Sequence, residues 1–451
     1  MVEKTYQKLK AIFHHFSKPI SLLTVGLVLF FANNSFAQMI ILSDEETELY
    51  LQSLIRPIFQ AAGIPFDRNK IYIVEDNSLN AFVSDGNNLF IHSETILKAK
   101  NSDELRGIIA HEAGHIQGGH ILRHKLLMQE MQNVSLASLV VAGALGAASG
   151  RGDVAMGVAL GAQSSLINQS LAYRVQEERN ADEAAISLLR KTHHSPQGLL
   201  NFMKKIQAQN KLQGINENSY FRTHPLSGER IAFLQEAVKN SPYQPNSGSP
   251  DKQLKRIQAK LYAFVKSPAQ TSLKYPLSDK SIDSQYARAI AAFKKMDFIK
   301  SFTITDKLIK YEPNNPHFHE LKGQILMEQG KIQQAQAEFA QASKLLPYSV
   351  LFKINEAQAV LELSPSAVQL KNIIAQLQQA SVARPTTIGW LLLAKAYGLN
   401  NQTAEAQYAS AQFSVMTGDL ALAKHQAEEA KRHSLSPQLT LKIDDLLNSL
   451  K

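Results

Sequence analysis

The stretch that runs from Asn101-Ser102-Asp103-Glu104 to His111-Glu112-Ala113-Gly114-His115 governs how the rest of this chain is read. An Asn cap followed by acids is a strong helix start, because it satisfies free amides and complements the positive end of the helix. The helix is expected to run to about Met131. Residues four apart share a helix face, so both imidazoles can bind one metal, with Glu112 held beside it. Zinc in such a site lowers the pKa of its water to about 7, and a carboxylate at Glu112 can take the proton as that water attacks a carbonyl. The pattern has only three fixed letters, so its context has to carry weight. The chain has no cysteine, so any metal here must be held by His, Asp or Glu.

A third ligand is needed. Were the helix continuous, His120 would lie about 140° around from His115 and face away, and His124 would be displaced in the same manner. Glu178 is the stronger candidate, on a second charged helix expected over 173–190. In Glu178-Arg179-Asn180-Ala181-Asp182, the Asp lies one turn on from the Glu. Asp182 can accept the outer proton of a ligand histidine and fix its tautomer, and small Ala181 lets two helices come close. Further on, His224 sits between Thr223 and Pro225. It could stabilise the oxyanion of a tetrahedral intermediate, worth about 10² to 10³ in rate. It could instead act as a fourth ligand that silences the resting site.

Around this core the chain divides. Residues 1–37 carry Lys4, Lys8, Lys10 and Lys18, an apolar run from Ile20 to Phe31, then Ser35 and Ala37. A basic head, a short apolar run and small residues read as a cleavable signal peptide, with export to the periplasm. The apolar run is shorter than the roughly 20 residues needed to span a bilayer. Residues 38–240 alternate short strands and helices. Lys70 to Val74 reads as a strand, and Asn80-Ala81-Phe82-Val83 and Leu89-Phe90-Ile91-His92 flank a turn, reading as a hairpin. The Ala/Gly-rich segment 134–165 fits two packed helices, or a mobile lid over the site that touches a membrane face.

A turn-rich linker and connecting helix occupy 241–282, and 283–451 reads as all-α with a period near 34 residues. Glu312-Pro313 and Leu346-Pro347 lie one period apart. Gly323, Ala335, Phe339, Ala342 and Pro347 fall on tetratricopeptide template positions, as do Trp390, Leu393, Tyr397 and Ala406, then Gly418, Ala423 and Ala430. Four to five such units would stack into a curved solenoid. The formal net charge of +9 falls to +6 without residues 1–37. No basic run with interleaved aromatics occurs, so nucleic acid is not an expected partner. Contact with anionic membrane surfaces is compatible with this balance.

HExxH followed by ExxAD, together with Asn80-Ala81-Phe82, Thr223-His224-Pro225 and Arg230, resembles the HtpX and CAAX-prenyl-endopeptidase family of gluzincins. The resemblance implies an α+β, mostly helical zincin metallopeptidase domain followed by the all-α repeat solenoid. It implies one zinc per chain on His111, His115 and Glu178, with Glu112 as base. It implies a zinc metalloendopeptidase acting on unfolded or misassembled polypeptides in quality control of outer-membrane beta-barrel assembly, its repeats meeting the assembly machinery. One position departs: many relatives have an Arg three residues before the Glu ligand, where this chain has Val175 and places Arg174 one earlier. Two other roles fit the sequence. The repeats could serve a non-catalytic chaperone or adaptor, or the enzyme could be secreted to act on external proteins.

Overall fold

The computed structural model describes residues 39–132, 141, 173–213, 223–245, 251–433 and 436–450. Residues 1–37 lie outside the described residues, as does 134–165 apart from Val141. Ile40–Lys451 form one compact unit.

Four strands make the sheet: β1 (Ile41–Leu42), β2 (Ile71–Val74), β3 (Ala81–Ser84) and β4 (Asn88–His92), in the order β1-β2-β4-β3. The hairpin pairs Ala81 with Ile91 and Val83 with Leu89, while β4 runs parallel to β2. The turn between β3 and β4 carries positive φ at Gly86 and Asn87 (77° and 63°), which suits these two residue types. The His92 amide donates to the Asn80 carbonyl at 3.0 Å. Hydrogen bonds alternate along an antiparallel pair, so the backbone groups of Ala81 and Val83 face away from β4, toward the open edge.

Helices surround the sheet among the described residues. These are α1 (Glu45–Ala62), α2 (Ser93–Lys98), α3 (Ser102–Gln117), α4 (helical residues 173–191), α5 (Gln197–Gln213) and α6 (Gly228–Lys239). Asp44 caps α1 by accepting from the Thr47 amide, and Asn101 caps α3 by accepting from the Glu104 amide. The core gathers Leu51, Ile55 and Ile58 of α1, Ile108 and Ile109 of α3, Leu188 and Leu189 of α4, and Phe202, Met203 and Ile206 of α5. Burial of these side chains, each contributing about 1.5–3 kcal/mol, is what fixes the helices around the sheet.

The long helix expected to reach Met131 is broken. Helix α3 stops at Gln117; Gly118 and Gly119 turn, Gly119 at φ +65°, and helix resumes at His120. A left-handed residue has no place in a continuous helix, and glycine adopts it without steric cost. This break resets the angular phase of everything after it.

Helix α7 (Lys252–Val265) falls where the sequence suggested a linker with a connecting helix. It is part of both cores. Leu254, Ile257 and Leu261 pack into the core around the sheet, and Ala259 and Ala263 into the core of the repeats. After a short α8 (Pro268–Lys274), ten helices among the described residues form five pairs. They are α9 (Ile282–Lys294), α10 (Phe298–Tyr311), α11 (Pro316–Glu328), α12 (Ile332–Leu345), α13 (Val350–Glu362), α14 (Ala367–Ala383), α15 (Thr387–Leu399), α16 (Thr403–Met416), α17 (Leu420–His433) and α18 (Pro437–Ser449). Pairs begin at Ile282, Pro316, Val350, Thr387 and Leu420, spaced by 34, 34, 37 and 33 residues. The template residues Ala335, Phe339, Ala342, Ala423 and Ala430 are buried. A Cβ at Gly323 would stand 2.5 Å from the Phe339 ring, so that position admits only hydrogen.

The acids that open α1 do more than complement its dipole. Glu45 accepts from Ser349 Oγ at 2.9 Å, and Glu48 takes both Nη atoms of Arg384 at 2.5 and 2.8 Å. Asp44 and Glu46 hold the buried Lys260 of α7, which also lies 4.0 Å from Glu320 of α11. One ammonium thus ties α1, the shared helix and the second repeat pair together.

Candidate metal centre

Helices α3 and α4 cross at Gly114. A Cβ there would lie 2.7 Å from the Ala181 carbonyl oxygen and 3.1 Å from the Ala184 Cβ, so the missing side chain sets how closely the helices approach. The crossing brings His111 and His115 of α3 against Glu178 of α4. His111 Nε2 and His115 Nε2 are 3.2 Å apart, and each is 3.2 Å from a different oxygen of Glu178. His224, from the loop before α6, places Nδ1 3.0 Å from Glu178 Oε1 and Nε2 3.6 Å from Glu112 Oε1. Ligand-capable atoms of His111, His115, Glu178 and His224 all lie within 4.8 Å of one another, and all four residues are buried.

The outer nitrogens of both α3 histidines are engaged. His111 Nδ1 meets Asp182 Oδ1 at 2.9 Å. His115 Nδ1 meets His120 Nδ1 at 2.9 Å, which turns the Nε2 atoms of both histidines toward Glu178. His120 is not among the converging ligand atoms, yet it does not face away either. The Gly118-Gly119 break rotates it back toward His115, and its ring fills the space beside Gly118, where a Cβ would stand 2.3 Å from its Nε2.

Arg230 of α6 completes the layer behind the centre. Its Nε and Nη2 donate to the two oxygens of Asp182 at 2.7 and 2.9 Å, and Nη1 to the Pro225 carbonyl at 2.8 Å. Nη1 also lies 2.7 Å from Glu178 Oε2. Sequence reasoning placed Arg230 in the pattern without a function. Of the positions of the departing pattern, Val175 is exposed, and among the described residues the ion pairs of the centre involve Arg230 and not Arg174.

Burial opposes the charged form of every group here, and the neighbours decide the outcome. His111 rises to about 9 because, against burial, Asp182 and Glu178 favour its cation. His115 is pushed down to about 3 by burial. Burial would raise Glu178, but His224, His111 and His115 hold its carboxyl well below the usual range. Glu112 moves up, since burial outweighs the attraction of His224 and His111. Both Glu112 oxygens are buried without a hydrogen-bond partner in the described structure. Two imidazole nitrogens and a carboxylate converging, with a second carboxylate left unsatisfied beside them, fit a divalent metal and a polar molecule next to it.

Residues 45–238 match the family model described as Peptidase family M48. They belong to that family. The protein is a metallopeptidase, and this centre lies wholly within its M48 domain. The chain is similar to a beta-barrel assembly-enhancing protease of Yersinia pestis, 26% identical over 352 residues, covering 74% of this chain and 70% of the relative. It is 24% identical over 377 residues to the protein of that name in Escherichia coli (strain K12), covering 81% and 75%. Among solved structures, the yeast Tom70 crystal structure aligns over 79% of this chain and 81% of that one, at 13% identity and a TM-score of 0.30. No helix of the described residues is long and apolar enough to cross a membrane.

Proposed function

We propose that this M48 peptidase is a zinc endopeptidase that cuts unfolded or misassembled polypeptide in the periplasm and supports outer-membrane beta-barrel assembly. The observation that carries the catalytic part is the convergence of His111, His115 and Glu178 beside a buried Glu112 with neither oxygen hydrogen-bonded. In this reading His111, His115 and Glu178 would hold the ion, which would supply Lewis-acid polarisation and lower the pKa of a water. Glu112 would accept a proton on one carboxylate oxygen and pass it to the leaving amine. Asp182 and His120 hold the two imidazoles in the tautomer that presents Nε2. An extended substrate adds as a strand along β3, the edge strand of the sheet. That mode selects unfolded chain, because folded segments offer no free strand. The relatives' printed name supports the assembly role, and the repeats would hold clients or assembly partners.

The test is cleavage of an unfolded outer-membrane barrel protein by the chain from residue 38, set against Glu112→Gln, with zinc measured in both. Cleavage by the native form alone, at equal zinc, supports the reading; equal cleavage by both overturns the role of Glu112. His224 sits where it can serve as a fourth ligand or as an oxyanion donor. His224→Ala separates the two: faster turnover identifies a brake, and a loss of about 10² or more identifies a stabiliser.

A further inference from the structure

The first repeat pair carries a groove that the peptidase reading leaves unused. It runs between α9 and α10, encloses about 400 Å³, and is lined by Leu277, Lys280, Arg288, Lys300, Ile304 and Lys307 among others. Four lining residues are cations and none is a carboxylate. Two of those cations also hold the loop before α9 through backbone oxygens. Arg288 Nη1 donates to the Pro276 carbonyl at 2.7 Å, and Lys280 Nζ to the Leu277 carbonyl at 2.6 Å. Two flanking acids are hydrogen-bonded locally, Asp279 in the loop before α9, where its charge also acts on Arg288, and Asp297 as the cap of α10. Asp279 accepts from the Ser281 amide at 2.9 Å and from Ser284 Oγ, and Asp297 from the Lys300 amide at 3.1 Å.

Large exposed apolar side chains occur on the same repeat pair: Leu277 lines the groove, Ile299 is on α10 and Met296 lies just before it. Leu277 is 67% exposed, Met296 72% and Ile299 81%. Ile299 lies one turn before Thr303, which lines the groove, so the two share a face of α10. Met296 sits in the turn just ahead, at φ 63°. A single exposed leucine requires no explanation. Three protruding apolar tips beside a cationic groove match what a peripheral protein presents to a charged bilayer, where apolar tips enter the headgroup layer and cations meet phosphate.

We propose that this face of the first repeat pair docks on an anionic phospholipid surface, with Leu277, Met296 and Ile299 entering the headgroup layer and Lys280, Arg288, Lys300 and Lys307 pairing with lipid phosphates. An acidic peptide lying in the groove would be held by the cations but would leave Met296 and Ile299 in water; a bilayer covers both sets at once. The formal charge of +6 on the chain from residue 38 adds long-range attraction of the same sign. The proposal stands independently of the peptidase reading.

The experiment is co-sedimentation of the chain from residue 38 with phosphatidylglycerol-containing vesicles, against phosphatidylcholine vesicles. Binding is expected on the anionic vesicles alone, weakening as salt rises. Lys280→Glu with Lys300→Glu and Lys307→Glu should lower partitioning by about a hundredfold or more. Leu277→Ser with Ile299→Ser should weaken binding by roughly tenfold while keeping its salt dependence. Cleavage of a soluble unfolded substrate should be unchanged in both, which also reports that each is folded. If the charge-reversed form fails to fold, Lys300→Gln with Lys307→Gln takes its place, with a loss of about tenfold or more expected. Equal binding to both vesicle types, no binding at low salt, or full binding by the charge variants would overturn the proposal. So would charge variants that lose polyglutamate binding while vesicle binding stays unchanged or absent, a result that assigns the groove to an acidic protein partner.

Discussion

Arg230 grips Asp182 with two nitrogens and reaches Glu178 with a third, so one guanidinium orients two carboxylates of the metal centre. Replacing it with leucine strips a buried cation from two buried anions, a change that costs about 3–5 kcal/mol in comparable pairs. Arg230→Leu is therefore expected to lower Tm in calorimetry and to lose zinc readily to a chelator. Arg230→Lys should recover little of either, because an ammonium cannot reproduce the fork. His120 invites a finer test. His120→Ala should weaken zinc binding by about 10- to 100-fold in chelator competition, and His120→Asn, which offers an oxygen to His115 Nδ1, should restore part of it. Failure of the Asn form to recover any affinity, with Tm intact, would remove the orienting role. His111, His115, Glu178 and Asp182 could be grouped from sequence because four-residue spacing on two helices is periodic information. His120 was obscured because its direction was worked out on an unbroken helix, although the Gly118-Gly119 pair held the signal that the phase would reset. Arg230 lies 48 residues beyond Asp182 on another helix, and no local period joins them.

At the scale of elements, the approach of α3 to α4 depends on a missing side chain. Gly114→Val would force its Cβ against the Ala181 carbonyl, a backbone neighbour that cannot swing aside. The expected cost is about 1–3 kcal/mol in stability. Zinc affinity should fall as well, because the separation would part His111 and His115 from Glu178. Gly114→Ala should show the same signs to a smaller degree, read by thermal unfolding and metal retention together. The hairpin was legible from alternation and its turn residues. Its place at the sheet edge was not, since strand order arises from which chain segments cover the other strands. The repeat period was readable because each pair must bury the same positions against its neighbours. The third pair, stretched to 37 residues, has a physical correlate. Its helix α14 delivers the Ala383 carbonyl to Asn69 Nδ2 at 2.8 Å and Arg384 to Glu48.

Across the whole molecule, a pH-sensitive knot joins the M48 domain to the repeats. Glu320 is largely buried, and its carboxyl is raised to about 7, by burial first, with Asp44, Glu46 and Glu45 adding to it and Lys260 opposing. A carboxyl whose folded pKa exceeds its unfolded value stabilises the fold at low pH, and that contribution fades as pH rises through the folded value. Stability is therefore expected to decline between about pH 4.5 and 7, from the ordinary carboxyl value to the raised one, and Glu320→Gln should flatten that decline in thermal scans. A native profile flat over this range would show that Glu320 is already ionised. Arg384→Ala should lower Tm, since it strips the buried Glu48 carboxylate of both guanidinium donors and leaves it only the Asp44 amide. The contacts of the acids at the start of α1 leave no local mark in the sequence, because their partners lie hundreds of residues away.

Helix α7 belongs to two cores at once, and this makes the molecule a gauge rather than a pair of tethered parts. A flexible tether would let a captured polypeptide reach the centre at many points along its length. If the repeats grip the client as proposed, a shared, buried helix holds grip and blade at one separation. Fragments cut from a client held by the repeats should then begin at a nearly constant count of residues from the gripped segment, and a glycine-serine stretch inserted between Val265 and Pro268 should blur that count into a ladder visible by mass spectrometry.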